Sequence, residues 1–175
     1  KEKTAELPKQ QSGKDGVVVD GNTIKGEDGN PLTVFHGTNA EGIKAEDLKQ
    51  SGLAGDYGEG IYFSTEKGQA DQVSQKNTIE ANIVSKKPLV IGSQEYFDKV
   101  YPLLPGADAG MPNMRYISSV ARKLGYTSIE AERGQGKWII ALDGAEIKSL
   151  STPKGKEVVQ PSNVVEVVPV FHHTN

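Results

Sequence analysis

Three kinds of residue in this 175-residue chain could do chemistry. The first is histidine. His36 sits with Gly37 directly after the apolar run Val34-Phe35, and His172 and His173 stand side by side near the C-terminus. Adjacent residues on a strand point to opposite faces, and chain ends are where order is weakest, so His172 and His173 are not read as a metal pair. The second is a glycine series, Gly55, Gly58 and Gly60, in GDYGEGIYFS. A dinucleotide fingerprint needs a strand before the glycines and a helix directly after them, so that a pyrophosphate meets a helix N-terminus. Here a strand follows, and that reading is rejected. The third is a set of carboxylates suited to general acid–base work or charge stabilisation. Glu130 and Glu132 share one face if their segment is a strand, and Glu146 follows the apolar run 138–142 across a glycine-containing turn. Taken one at a time, each feature also has a purely structural reading: a satisfied histidine, a hairpin with a packed aromatic, solvated glutamates.

The elements that must position these residues are short. Residues 17–19 and 32–35 are β-branched or apolar runs flanking the turn signals Asp20-Gly21 and Asp28-Gly29, which predicts strand, turns, strand. Ile43 and Leu48 are placed on a short helix stopped by Gly52. The run GIYFS predicts a strand, followed by a modest helix capped by Thr65. Strand-like pieces follow at 79–84 and 89–91. Tyr96, Phe97 and Val100 have helical spacing, and Pro102 ends that turn. The clearest helix is capped by Asn113, carries Met114, Ile117, Val120 and Leu124 as a stripe, and stops at Gly125. YTSIE, WIIAL and NVVEVVPVF predict three further strands. There is no internal repeat. Many short strands with three or four small helices make an α+β pattern. Residues 1–15 are polar and aperiodic and are read as a linker or arm, with 16–175 as one domain.

Bulk composition narrows the function classes. The formal net charge is −3, with no basic surplus to drive phosphate-backbone binding, so nucleic acid is disfavoured as a partner. Cysteine is absent, which excludes disulfides, thiol catalysis and cysteine-ligated zinc. No apolar run approaches the roughly 18 residues needed to span a bilayer, and no signal peptide is visible. Because the sequence begins at Lys1, it is read as a piece of a longer protein or a mature form, and its localisation stays open.

Together, VFHGT, then GEGIYFS, then a helix beginning TEKGQA, closely resemble the NAD-binding half of the ADP-ribosyltransferase fold. The resemblance is to the branch with a His, Tyr and Glu triad, which includes poly(ADP-ribose) polymerases and diphtheria-type toxins. The wording is closer still to transferase domains of phage polyvalent proteins and bacterial toxins. There, segments like EDGNPLTVFHGT, SKKPLVI and IIALDGAEIKS occur in this order. The likeness covers roughly residues 16–149 and implies an ADP-ribosyltransferase-like split β-sandwich.

The implied activity is NAD-dependent mono-ADP-ribosyl transfer by a toxin or effector-type domain, delivered within a larger protein. Nicotinamide is released, and the target is a macromolecule, more readily protein than nucleic acid. NAD is the substrate and no metal is implied. By this resemblance the Gly37 backbone takes the carboxamide, His36 donates to a ribose hydroxyl with Thr38 in support, and Tyr62 lies against the nicotinamide ring. Phe63 and Ser64 belong to the same binding wall, with Ser64 on the carboxamide. The polymerase glutamate falls at Lys137 or Trp138 here, so the catalytic carboxylate is assigned to Glu146, then Glu132, then Glu130. NAD glycohydrolysis, 2′-phosphotransfer on RNA, and an inactive NAD- or ADP-ribose-binding module are the other activities this fold would allow. A structural or assembly role in a phage or secreted protein is the remaining alternative.

Overall fold

The computed structural model describes residues 22–50, 55–74 and 76–150. The predicted arm 1–15, the boundary after it, the strands expected at 17–19 and 163–171, and His172 and His173 lie outside the described residues.

Seven strands form one sheet: β1 Val34–Thr38, β2 Ile61–Ser64, β3 Asn77–Val84, β4 Pro88–Val90, β5 Ser128–Arg133, β6 Gly136–Ala141 and β7 Glu146–Ser149. Their spatial order is β4-β5-β6-β2-β1-β3-β7, antiparallel throughout except for the β4/β5 pair. Two α-helices, α1 Lys67–Val73 and α2 Ile117–Lys123, accompany short single turns. The expected α+β class holds, with the helices small and peripheral to a curled sheet.

The run WIIAL shows why both faces of the sheet are covered. Ile139 and Ile140 are both fully buried, yet successive strand residues point to opposite faces. Ile140 joins a cluster with Leu89, Tyr96, Val100, Ile117, Tyr126 and Ile129. Ile139 joins the other cluster with Val34, Phe63, Ile79, Ala81 and Ile83. Each isoleucine contributes roughly 1.5–3 kcal/mol by leaving water, and together they tie two cores to one strand.

Several local expectations are corrected. Ile43 and Leu48 flank a single 3₁₀ turn, Ala45–Asp47, because Gly42 is left-handed at φ +67° and Lys44 and Leu48 are extended; the expected stop Gly52 lies outside the described residues. Thr65 does not cap α1. Its hydroxyl oxygen accepts from the Lys137 N–H at 2.9 Å, and Glu66 occupies the cap position without a side-chain bond. The Tyr96–Val100 segment is one π-helical turn running into the 3₁₀ turn Tyr101–Leu103, so Pro102 lies inside the turn it was expected to end. Asn113 caps the 3₁₀ turn Met114–Tyr116, its side chain accepting from the Arg115 N–H; that turn runs into α2, so the expected helix is α-helical only over Ile117–Lys123, and Gly125 ends it at φ +80°. Glu146 follows the glycine-containing turn as read, and it begins a further strand, β7, paired with β3.

The feature that matters for function is a near split in the sheet. β1 and β2 share a single register pair, Phe35 with Ser64. On its other edge β1 is paired to β3 over its whole length.

Candidate active site

A cavity of about 530 Å³ lies where β1 and β2 part. From β1 it takes His36, Gly37 and Thr38, and from β2 Ile61, Tyr62 and Ser64. Helix α1 adds Ala70 and Val73, the Gly55–Tyr57 loop closes one side, and Arg133 and Trp138 come from β5 and β6. The size and the mainly apolar wall with a few polar groups suit a small organic ligand.

His36 bridges the two strands. Its Nδ1 lies 2.7 Å from the Tyr62 main-chain oxygen. A carbonyl can only accept, so Nδ1 carries the proton. Burial lowers the His36 pKa, opposed in smaller part by this hydrogen bond, and the neutral ring is the favoured form. Nε2 is then an acceptor. In this tautomer a hydroxyl meeting Nε2 would have to donate to it, whereas the donating role the resemblance implies would need the doubly protonated ring. Behind it, the Phe63 ring packs at 5.4 Å between centroids.

Gly37 meets a packing demand as well as lining the cavity. A Cβ there would collide with the Ala70 main-chain oxygen, so the missing side chain is what lets α1 lie on β1. This close approach is a non-local demand for glycine that residue order alone does not show.

Tyr62 is held at both ends. Its hydroxyl donates to the Gly58 oxygen at 2.5 Å and accepts from the Tyr57 N–H at 3.2 Å. Its ring meets Trp138 edge-on, with centroids 5.7 Å apart. Gly55 is pressed against the phenol, where any Cβ would clash with the ring. Burial, first among several causes, raises the Tyr62 pKa, so the phenol stays protonated and keeps its bond to Gly58. The loop is braced again by Ser118, whose N–H and hydroxyl both donate to the Tyr57 oxygen.

Other expected residues have different duties. Phe63 is fully buried on the face opposite Tyr62 and is not part of the cavity wall; it supports His36. The Ser64 hydroxyl donates to Gln69 Oε1 and accepts from the Glu66 N–H, so its proton is committed to the start of α1. Thr38 lines the cavity, but its hydroxyl accepts from the Ala40 N–H and shapes the turn leaving β1.

None of the three glutamates lines the cavity. Glu146 pairs with Val84 and His36 with Ile79, which separates them by roughly 16 Å along the sheet. Glu130 lies on the same row as Ile139 and Phe63, about 14 Å across three strand spacings from β1. Glu132 points to that same face, is largely exposed, and pairs with Lys137 at 3.5 Å. Burial raises the Glu130 pKa, and Lys137 and Glu132 modulate it oppositely. Among the described residues that line the cavity, Asp56 alone is acidic. It forms an ion pair with Arg133, whose guanidinium stands over the Trp138 ring at 5.7 Å. Asp56, Arg133 and Trp138 were not singled out as site residues from sequence. The available signal was the start of β6, where Lys137 or Trp138 occupies the position of the polymerase glutamate.

Among the described residues, no group of three or more His, Cys, Asp or Glu side chains could hold a metal, and no helix is long and apolar enough to cross a membrane.

The fold and cavity define an ADP-ribosyltransferase-type domain. The family profile described as ADP-ribosyltransferase in polyvalent proteins matches residues 26–157, and the chain belongs to that family. No curated protein matches it significantly. Among solved structures it is similar to one titled "Crystal structure of an anti-CRISPR protein", at 22% identity and a TM-score of 0.42, covering 69% of this chain and 96% of that one.

Proposed function

We propose that this domain is an NAD-dependent mono-ADP-ribosyltransferase that modifies a protein and releases nicotinamide. The observation that carries the reading is the parting of β1 from β2, which sets His36 and Gly37 on one side of a cavity and Tyr62 on the other. Nicotinamide lies against the Tyr62 ring with its carboxamide at the Gly37 backbone. Such ring packing adds about 0.5–1.5 kcal/mol beyond burial. His36 Nε2 accepts from a ribose hydroxyl, which orients the sugar for loss of nicotinamide. The role in a toxin or effector is carried by the resemblance to polyvalent-protein domains.

The test is nicotinamide release from NAD, with and without cell lysate. Release that depends on lysate, with radiolabel from the adenine half transferred to protein, supports the transferase. Release without lysate assigns glycohydrolysis instead. A second reading has its own observation: none of the candidate glutamates lines the cavity, and the polymerase glutamate's position falls at Lys137 or Trp138. Tight binding of ADP-ribose with no nicotinamide release would establish a binding module.

A further inference from the structure

The ion pair at the cavity rim joins residues from distant parts of the chain, Asp56 in the Gly55–Gly58 loop and Arg133 at the end of β5. The loop is fixed. Gly55 and Gly58 exchange backbone hydrogen bonds at 3.2 and 3.1 Å, Tyr57 and Gly58 are tied to the Tyr62 hydroxyl, and Ser118 holds the Tyr57 oxygen. Asp56 thus sits at a set place beside Tyr62. Both partners of the pair are half or more exposed, so the pair is open to exchange with a charged ligand.

We infer that Asp56 is the catalytic carboxylate of this site, and that Arg133 masks it until the pyrophosphate of the bound substrate takes the guanidinium over. The inference rests on the transferase reading and names the residue that reading lacks. Arginine suits the exchange because its planar fork matches phosphate oxygens as well as it matches a carboxylate. Stacking over Trp138 keeps the guanidinium at the cavity when its partner changes.

The chemistry then balances. The bond between ribosyl C1′ and the nicotinamide nitrogen breaks, and its electron pair goes to the ring nitrogen, which leaves as neutral nicotinamide. Positive charge develops on the ribose, and the unmasked carboxylate offsets it. An acceptor hydroxyl or water forms the new C1′–O bond. Its proton passes to Asp56 and on to solvent.

Two readouts with opposite signs test this. Trp138 is the chain's one tryptophan, so its fluorescence reports on ligand at the cavity. Asp56→Asn should lower nicotinamide release at least 100-fold. The same variant should bind ADP several-fold more tightly, because Arg133 no longer has a competing carboxylate. Arg133→Ala should weaken ADP binding several-fold. Asp56→Glu, which keeps the charge, should retain more release than Asp56→Asn. Release by Asp56→Asn within threefold of wild type overturns the assignment of Asp56 and leaves the transferase reading intact. ADP binding that weakens in Asp56→Asn overturns the masking role of Arg133. Wild-type protein that releases no nicotinamide overturns the transferase reading itself.

Discussion

The Nδ1 of His36 donates to the main-chain oxygen of Tyr62 at 2.7 Å, and this bond stands where β1 and β2 stop pairing. A side chain thus replaces the next rung of the ladder. It gives that carbonyl a side-chain donor, and it sets Nε2 as an acceptor.

The first consequence is a pH dependence. Burial lowers the His36 pKa in the folded state relative to 6.5. The unfolded chain then binds the proton more readily, so this group's contribution to stability is complete above about pH 6.5 and declines as pH falls toward the folded value. Urea midpoints from pH 5 to 8 should drop on the acid side for wild type. His36→Asn should remove that part of the slope. NAD affinity, read by Trp138 fluorescence, should fall over the same acid range, since imidazolium cannot accept a hydroxyl.

Gly37→Ala tests the packing of α1. The new methyl group would overlap the Ala70 oxygen, which is backbone and cannot swing away. The helix must shift, at a cost of about 1–3 kcal/mol. A lowered urea midpoint with unchanged m-value, together with lost NAD binding, is the expected result. Unaltered stability would show that α1 is held by something other than this close approach.

Tyr62→Phe keeps the ring and removes the hydroxyl. Two hydrogen bonds to the Tyr57–Gly58 backbone disappear, at a cost of about 1–2 kcal/mol. NAD binding should weaken little because the ring face is retained. Nicotinamide release should fall further, since the loop that carries Asp56 loses its ties to β2 and keeps those within itself and to Ser118. A kcat loss larger than the change in KM is the signature to look for in steady-state assays.

Glu146→Gln and Glu132→Gln should each leave nicotinamide release within about threefold of wild type. Glu146 stands roughly 16 Å from His36 along the sheet, and strand alternation turns Glu132 to the face away from Arg133 and Trp138, so neither carboxylate lines the cavity. A hundredfold loss in either, with the fold intact by circular dichroism, would show that the cavity is not where the chemistry happens.

Tyr126 offers a check on the other core. It is fully buried, and its hydroxyl donates to Glu95 at 2.7 Å. Burial, then the Glu95 bond, push its pKa up to about 12. Its contribution to stability is therefore present below pH 10 and lost as pH rises toward 12. Tyr126→Phe should lower stability by about 1 kcal/mol at neutral pH, because Glu95 is exposed and can turn to water.

Much of the site was legible from residue order. An apolar run ending in His-Gly and a glycine-rich bend into Ile-Tyr-Phe-Ser are local patterns, and both become strands where periodicity and turn chemistry place them. WIIAL, apolar on both faces, is a strand between two cores for the same reason. Less legible were the duties of short polar side chains. Ser64, Thr65 and Thr38 bond to nearby main chain or to neighbouring elements, and that competition cannot be read from residue type.

The sequence by itself determined the pair of motifs, the α+β class and the placing of Tyr62 on a strand, while His36, read as following the run 32–35, lies inside β1. Only the tertiary structure decided which carboxylate stands at the cavity. Strand order puts β2 between β6 and β1, so Trp138 of β6 and Arg133 of β5 reach the Tyr62 side, while Glu146 is carried to the far edge beside β3. Alternation along β5 turns Arg133 toward Trp138 and Glu132 away from it. Such non-local pairing and facing depend on how the whole sheet buries its two cores, and no local window of residues contains that information.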